Sequence, residues 1–464
     1  MTLTGTPLLR SQENVWEYVY CFAPDSPGRI GCNVFNTMEL AGPVDVEAFR
    51  LAVGDVARRH EALRTMFATI EADPLTRVED DLEPSVRVVD LSAHPPARRA
   101  AHLAGLLYYE SHRDFDLRGG PLWTVTLVRR SEASHLVAIA LTHVIADGWS
   151  TGVFLHDLKA AYQARIGDGP PLAPLALSYA DALAPPQWSD TELARRTEYW
   201  RRELAPLPDR SPFTMAPLTP GVDVQAEANI GITLPSPLAR ALGTLARQER
   251  MTPFVLLLGA YRLLLGTLTG WDRVVIGSAT FGREAPGSRE LIGQFTHNLY
   301  VPTTIPAQRT LREALGAVRA AVFAGLRNNA SFKQIAPAVN PDFERMRPWP
   351  YLPLYHAWFI SAPPGNAQGR PEGPEDRDTG FRETRMPGRP KALPASLGDK
   401  AALWAKKGEP NLTISDDRRS VFVRYNPHVY DRDEMVRLVT GYRHVLGELV
   451  RDPHQRIGEL RVPE

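Results

Sequence analysis

Cysteine and lysine are both scarce in this chain of 464 residues. The two cysteines, Cys21 and Cys32, are too few for a disulfide framework or a zinc knuckle. Only 6 of the 53 basic residues are lysines, and the 53 acidic residues bring the formal net charge to zero. Because a protein that coats nucleic acid needs a basic excess to neutralise phosphates, this balance excludes nucleic acid as a partner.

Targeting and membrane signals are missing as well. The first 20 residues have no basic start followed by a long apolar run, so they do not form a secretory signal. The most apolar segment, residues 252–271, is interrupted by Arg262, and its apolar positions cover most of a helix surface. This pattern favours a buried helix over a membrane span. We therefore expect a cytoplasmic protein with no membrane partner.

The common motifs for phosphate, dinucleotide and zinc chemistry are also absent, and we expect no metal site. One GxSxG match, Gly148 to Gly152, follows a predicted strand and precedes a predicted helix, as the nucleophile elbow of a serine hydrolase does. The alternative is that Ser150 is a turn serine that caps the next helix. With only three fixed positions in a chain of 34 glycines, we favour this alternative.

Hydrophobic spacing predicts helices and strands in both halves of the chain. Helices are predicted at 44–67 (with Asp45 as N-cap), 153–164, 237–248 (with Ser236 as N-cap), 252–271, 311–327 and 432–451. Strands are predicted at 123–128, 135–142, 228–234, 273–279, 354–360 and 420–425. Proline-rich stretches at 167–174 and 185–220 predict a connection between two lobes. This predicts an N-terminal lobe over 1–175, a connection over 176–225 and a C-terminal lobe over 226–464. A long polar loop is predicted over 362–398.

The segment LTHVIADGWS, Leu141 to Ser150, carries the clearest chemical signal. A predicted strand ends at Thr142 and His143, just before a turn through Asp147 and Gly148. This position places an imidazole at the rim of a sheet, where substrates can reach it. The alternative is a histidine hydrogen-bonded to its neighbouring carboxylate, and no third ligand lies near enough in sequence for a metal site.

This segment belongs to a series of motifs that resembles the condensation-domain superfamily of nonribosomal peptide synthetases. The signature of that superfamily is HHxxxDG, preceded by RHExLRTxF and followed by an IGxFVNT-like segment. The motifs occur in the family's order: RRHEALRTMF (58–67), LTHVIADGWS (141–150), SYADAL (178–183) with EYWRREL (198–204), VVIGSATFGRE (274–284) and LIGQFTHNL (291–299). The C-terminal stretch from Asn411 also matches, so the resemblance covers nearly the whole chain.

The resemblance implies an α/β fold (an α+β sandwich) of two chloramphenicol-acetyltransferase-like lobes, arranged as a V-shaped pseudo-dimer with the active site in the tunnel between them. Members join an acyl group, held as a carrier-protein thioester, to an amine or in some cases an alcohol. We therefore expect an acyl or peptidyl carrier protein and a small-molecule acceptor as partners. The chain itself would bind no cofactor, since the acyl group is carried on the phosphopantetheine arm of the carrier. From Met1 and the position of the last residue, we expect a free-standing enzyme.

The sequence departs from the family pattern in four places. The first His of HHxxxDG is Thr142, and the Asn of the IGxFVNT-like segment is His297, with Asn298 following. The HQDxPFE segment is reduced to NNASFKQ at 328–334, and the Gly/Pro-rich stretch after Ile360 is longer than usual.

By the same resemblance, His143 is the second His, and Asp147 and Gly148 are the Asp and Gly of the signature. An imidazole with a pKa near ~6.5 suits proton transfer from an acceptor, so His143 is expected to act as base or to position the acceptor. Asp147 is expected to brace the loop through an ion pair, with Arg283 as the first choice of partner and Arg64 as the second. Gly148 would supply a special backbone conformation or an oxyanion donor.

The remaining candidates have weaker support. His297 is either a proton carrier or substrate contact, or a packed histidine, while Asn298, Trp149 and Ser150 are further possible substrate contacts. Thr142 should point to the opposite face from His143, with its hydroxyl bonded to nearby backbone.

Four functions therefore compete: a condensation enzyme, an acyltransferase using acyl-CoA, a catalytically silent module that docks a carrier protein or tailoring enzyme, and a serine hydrolase. We favour the first.

Overall fold

The computed structural model describes residues 5–22, 29–30, 32–68, 74–182, 188–207, 211–216, 226–340, 354–362, 381–386, 409–415 and 417–463. These residues form two compact units. The first unit contains the described residues before Trp188 and a return segment, Phe281–His297. The second contains the described residues of 188–280 and those that follow His297. The lobe boundaries at 175 and 226 remain a prediction from the sequence.

The first unit is built on a four-stranded sheet with helices. Its helices are α1 (Arg10–Phe22), α2 (Val46–Arg59), α3 (Pro96–Ser111), α4 (Gly148–Arg165) and α5 (Tyr179–Ala182). Its strands are β1 (Thr6–Pro7), β2 (Arg29–Ile30), β3 (Asn33–Ala41), β4 (Thr65–Phe67), β5 (Leu75–Val78), β6 (Val86–Asp90), β7 (Phe115–Asp116), β8 (Trp123–Ser131) and β9 (Ser134–Thr142). The main sheet has the order β3-β9-β8-β6, and small sheets join β1-β5-β4 and β2-β7.

The β8–β9 hairpin is the centre of this unit and confirms the two strands predicted there. Its inward side chains pack on α2 and α4 in one hydrophobic core that includes Val125, Ile139 and Phe154. The side chain of Asp45 caps α2, as predicted, by accepting from the amides of Glu47 and Ala48. The predicted helix over 44–67 is too long, because the backbone turns extended at residue 60 and then enters a short 3₁₀ turn and β4.

The second unit is built on a seven-stranded mixed sheet. Its helices are α6 (Asp190–Leu204), α7 (Ser236–Gln248), α8 (Pro253–Thr269), α9 (Leu311–Arg327), α10 (Phe332–Val339) and α11 (Arg432–Arg451). Its strands are β10 (Glu227–Thr233), β11 (Arg273–Thr280), β12 (His297–Thr304), β13 (Ala357–Ser361), β14 (Phe381–Met386), β15 (Asn411–Ile414) and β16 (Ser420–Tyr425). Their order in the sheet is β12-β11-β13-β15-β16-β10-β14.

Most predicted elements of this unit are confirmed, and α9, α11 and β16 match to the residue. The apolar segment 252–271 forms the largely buried α8, in which the Arg262 guanidinium donates to Thr303 Oγ1 at 2.7 Å. Among the described residues, no single helix is long and apolar enough to cross a membrane. Ser236 is not the N-cap of α7, since the helix begins at Ser236 after Pro235.

The predicted loop over 362–398 lies mostly outside the described residues, but its described part includes β14, which pairs with β10. Each unit thus combines helices with a sheet, which confirms the α/β class.

Candidate functional site

His143 follows the last residue of β9 and begins a tight loop that ends at α4. Its backbone N–H donates to the Cys32 carbonyl at 2.8 Å, which continues the pairing of β3 with β9. Its ring Nδ1 lies 3.0 Å from the carbonyl oxygen of Ala146. Because a carbonyl oxygen only accepts hydrogen bonds, Nδ1 is the donor, and in the neutral ring Nε2 is then the nitrogen with the free lone pair. The ring is partly exposed, so this geometry suits a proton acceptor at Nε2.

The end of the loop is fixed by the first turn of α4. Asp147 is the N-cap: its Oδ1 accepts from the Ser150 amide at 3.0 Å, and its own amide donates to Ser150 Oγ at 3.3 Å. This reciprocal pair is a capping box. Both residues are fully buried, so the helix start and the loop before it are held rigidly.

A buried ion pair joins the loop to the return segment. The Arg283 guanidinium lies 2.7 Å from Asp147 Oδ1, and both side chains are at most 1% exposed. The other guanidinium nitrogen donates to the carbonyls of Ser288 and Leu291, and the guanidinium lies 4.0 Å from the centre of the Phe295 ring. Burial lowers the pKa of Arg283, and the negative charge of Asp147 opposes that shift.

The pairing of Asp147 with Arg283 is therefore the one that the sequence favoured. Arg64, the second choice, does not contact this site; it donates instead to Asp80 at 2.6 Å.

The backbone of the return segment completes the enclosure of Asp147. The Gly293 carbonyl accepts from the Asp147 amide at 3.1 Å and from Ser150 Oγ at 2.8 Å, and the Phe295 amide donates to Asp147 Oδ2 at 3.2 Å. A Cβ on Gly293 would lie 2.1 Å from the ring of Tyr179. Only glycine lets the backbone approach this closely, which explains that residue's place in the IGxF motif.

The side chain of His60 also contacts the return segment. Its Nε2 lies 2.8 Å from Asp157 Oδ2, and its Nδ1 accepts from the Ile292 amide at 3.3 Å. Burial lowers the pKa of His60, so the ring is neutral at pH 7 and can accept at Nδ1. His60 therefore has a structural role here, and Asp157, which sequence reasoning missed, is its partner on α4.

Ser150 is poorly suited to nucleophilic attack. Its hydroxyl is fully buried and hydrogen-bonds to Asp147, Arg283 and Gly293. The structure also corrects its expected role as the helix cap, because Asp147 is the N-cap and Ser150 is the third residue of the helix. The GxSxG match is therefore a helix start.

The other candidates are divided between the two units. Gly148 is the first residue of α4, so its amide has no partner within the helix. The Trp149 indole N–H donates to the Arg289 carbonyl at 2.8 Å. His297 ends the return segment, and burial together with the charge of Arg10 lowers its pKa to about 4, so its ring is neutral at pH 7.

Asn298 belongs to the second unit, where its amide donates to the Tyr300 hydroxyl at 3.4 Å.

Thr142 occupies the position of the family's first His and is fully buried. It pairs with Asn33 across the β3–β9 ladder. Its hydroxyl finds no hydrogen-bond partner among the residues that the structure describes. The expected bond from this hydroxyl to nearby backbone is therefore wrong.

Because the Thr142 hydroxyl is buried without a partner among the residues described, removing it should stabilise the protein. Thr142→Val should raise the free energy of unfolding by about 1 kcal/mol, because a buried hydroxyl without a partner costs ~1–3 kcal/mol. Turnover should stay within about tenfold of the unsubstituted protein, equivalent to ~1.4 kcal/mol of barrier. Urea denaturation measures the first quantity, and Thr142→Ser, which keeps the hydroxyl, is the control. A loss of stability in Thr142→Val would reveal a bound water or another partner at the hydroxyl.

A metal has no candidate site in the described part of the chain, which contains no group of three His, Cys, Asp or Glu residues able to hold one.

The chain resembles known proteins in both sequence and fold. The family model described as the condensation domain matches residues 6–342. The chain belongs to the condensation-domain family. The matched range includes the loop from His143 to Gly148.

Several curated relatives of this condensation domain are very large proteins. It is 28% identical over 463 residues to one of the linear gramicidin synthase proteins of Brevibacillus parabrevis, a match that covers 98% of this chain and 8% of that protein. It is 27% identical over 434 residues to the chondramide synthase of Chondromyces crocatus, covering 91% of this chain and 10% of that protein. Phosphinothricin tripeptide synthetase PhsC of Streptomyces viridochromogenes is 30% identical over 72% of this chain. The chain spans 31% of PhsC, so it matches only a part of each relative's length.

Solved structures share the fold of this condensation domain. The X-domain from teicoplanin biosynthesis matches with a TM-score of 0.74 at 22% identity, covering 100% of this chain and 99% of that one. The complex of the X-domain and OxyB matches with 0.75 at 21% identity, covering 100% and 97%. The first condensation domain of the CDA synthetase matches with 0.69 at 16% identity, covering 99% of both chains. The fold class predicted from the motifs is thus confirmed.

Proposed function

We propose that this chain forms an amide or ester bond by attack of an amine or alcohol acceptor on an acyl or aminoacyl thioester held by a carrier protein. The observation that supports this function best is the His143 ring, whose Nδ1–H is fixed by the Ala146 carbonyl and whose Nε2 is left as an acceptor. A ring oriented in this way is ready to take a proton from an incoming nucleophile.

The chemistry needs no nucleophile from the protein, because a thioester is already an activated acyl donor. As the acceptor attacks the carbonyl carbon, it loses a proton to Nε2 of His143. Collapse of the tetrahedral species breaks the carbon–sulfur bond, and the leaving thiolate takes that proton from the imidazolium of His143. The Ala146 carbonyl, bonded to Nδ1–H, stabilises the imidazolium between these two steps. For an amine that is already neutral, the same nitrogen holds the acceptor in place.

Asp147 acts through the loop in this proposal and does not touch substrate. Both of its carboxylate oxygens already accept hydrogen bonds, from Arg283 and Ser150 at Oδ1 and from the Phe295 amide at Oδ2. The Gly148 amide, at the N-terminus of α4, is the candidate donor to the oxyanion, because a helix N-terminus favours developing negative charge.

The phosphopantetheine arm of a carrier protein would deliver the acyl group. The curated relatives named above as synthases and synthetases support this choice of donor over a diffusible acyl-CoA.

A second candidate function is a catalytically silent module that docks a tailoring enzyme. Two observations favour it: the likeness in fold to an X-domain that was solved in complex with OxyB, and the threonine at position 142.

One experiment separates these functions. The purified chain is incubated with an acyl-loaded carrier protein and a panel of amines and alcohols, and the carrier and products are followed by intact mass. We expect the acyl group to leave the carrier and appear on an acceptor only when the chain is present. Equal transfer from acyl-CoA without a carrier would identify an acyl-CoA transferase. No transfer, together with a stable complex with the carrier or a tailoring enzyme, would identify the silent module.

A further inference from the structure

The carbonyl of Val144, the residue after His143, is held by a side chain from α1. Gln12 Nε2 donates to this carbonyl at 3.1 Å. Gln12 is 3% exposed and Val144 is fully buried. Sequence reasoning gave no role to Gln12, which lies 132 residues before its partner.

The same side-chain amide also caps the N-terminus of its own helix, α1. Gln12 Oε1 accepts from the Leu9 amide at 3.0 Å, and the Leu9 carbonyl accepts the first helical bond, from the Glu13 amide. Leu9 is therefore the N-cap and Gln12 the third residue of α1, so its oxygen supplies one half of a capping box. The Gln12 oxygen therefore caps α1, and the Gln12 nitrogen binds the His143 loop.

Between its two ends the loop is held by the Ile145 amide, which donates to the Thr142 carbonyl at 3.1 Å, by core packing of its buried side chains, and by one hydrogen bond from another helix. His143 is tied to Cys32 at the start of the loop, and Asp147 is tied to Gly293 at its end. Between them the Val144 carbonyl, two residues before the carbonyl that orients the His143 ring, is fixed by Gln12. A buried carbonyl that loses its donor costs free energy until it finds another. The peptide at Val144 would turn to recover one, and the Ala146 carbonyl would move with it.

We propose that Gln12 is a positioning residue for His143, acting through the Val144 carbonyl. This inference rests on the proposed function, in which the Nδ1–H tautomer of His143 is the active one. Gln12 touches neither substrate nor the reacting atoms.

Gln12→Glu tests this role sharply, because it separates the two functions of the side chain. The introduced carboxylate can still accept from the Leu9 amide, and glutamate is a favoured residue at this helix position. It cannot donate to the Val144 carbonyl while it is ionised. A role limited to capping α1 would leave turnover unchanged, whereas a positioning role predicts a fall in kcat of about 10- to 100-fold with KM nearly constant.

The pH dependence adds a readout that a structural role would not move. A protonated carboxyl regains a donor, and burial raises its pKa above the usual ~4.3. The ratio of the Gln12→Glu kcat to the unsubstituted kcat should therefore rise several-fold between about pH 8 and about pH 5.5. For Gln12→Met, similar in size but without a donor, the same ratio should be low and should not change with pH. Gln248→Glu, the same change at an exposed position of α7, is the matched control.

A spectroscopic measurement separates failure of this inference from failure of the proposed function. Long-range ¹H–¹⁵N spectra of protein labelled at histidine report the tautomer of each ring, and the His143 signal is assigned by its loss in His143→Gln. We expect mainly the Nδ1–H form in the unsubstituted protein and a mixture in Gln12→Met, whether or not any transfer activity is found. An unchanged His143 tautomer in folded Gln12→Met and Gln12→Glu would overturn the inference. Loss of stability without a change in tautomer or kcat would do the same.

Discussion

His143→Ala is expected to lower turnover by at least ~10²-fold, because a positioned base contributes ~10²–10⁴-fold to such a proton transfer. Single-turnover acyl transfer from a loaded carrier protein measures this loss directly. The ring is partly exposed at the end of a strand, so its removal should leave the fold intact, which thermal unfolding checks. The control is His156→Ala, which removes an exposed imidazole from α4 of the same unit.

His143→Asn separates the two contributions of the ring. The asparagine amide nitrogen has the same position along the side chain as Nδ1 and can still donate to the Ala146 carbonyl. It offers no base at the place of Nε2. The Asn variant should therefore keep the loop but remain as slow as the Ala variant. Near-normal turnover in either folded variant would remove His143 from the mechanism.

Breaking the Asp147–Arg283 pair from one side should be the most destabilising of these changes. Asp147→Asn leaves the Arg283 guanidinium buried without a counter-charge. Arg283→Met leaves the Asp147 carboxylate buried without one. We expect each to lower the free energy of unfolding by about 3–5 kcal/mol and to reduce turnover, because an uncompensated buried charge is costly. Chemical denaturation and the carrier assay measure the two effects. Arg201→Ala, which breaks a solvent-exposed pair with Glu198, should leave the free energy of unfolding almost unchanged.

The double variant Asp147→Asn with Arg283→Met tests whether the two residues act as one unit. It should be little worse than either single variant, since each removes the same interaction. Additive losses would contradict the pairing and assign the two residues separate roles.

The sequence was sufficient to locate this pair and the His143 loop because both lie in short motifs of fixed order. It was also sufficient for α9 and α11, whose ends carry polar caps at Thr310 and Asp431 that can be read locally. In contrast, α6 was missed, because Arg and Glu outnumber its apolar residues and its surroundings are rich in proline.

The parts of the site that could not be predicted depend on backbone groups or on distant packing. Asp147 accepts from the Phe295 amide, and every residue except proline has such an amide, so no residue type marks the contact. The hydroxyl of Thr142 was expected to find a backbone acceptor, but which groups lie within reach is decided by how β3 and β9 pack. Gln12 is an ordinary polar residue until α1 is placed beside the loop.

Because the return segment is synthesised late, it also determines when the His143 loop can reach its final structure in the cell. Arg283 lies 136 positions after Asp147, and the segment ends at His297. A ribosome adding about 5–20 residues per second needs roughly 5–20 s to pass from Gln187 to that point. Small domains often fold within a second, so the part of the first unit already made has time to begin folding before the return segment is synthesised. The first unit is then completed only as fast as translation proceeds. Codons that slow synthesis between Gln187 and His297 would lengthen the time for which Asp147 lacks its partner Arg283.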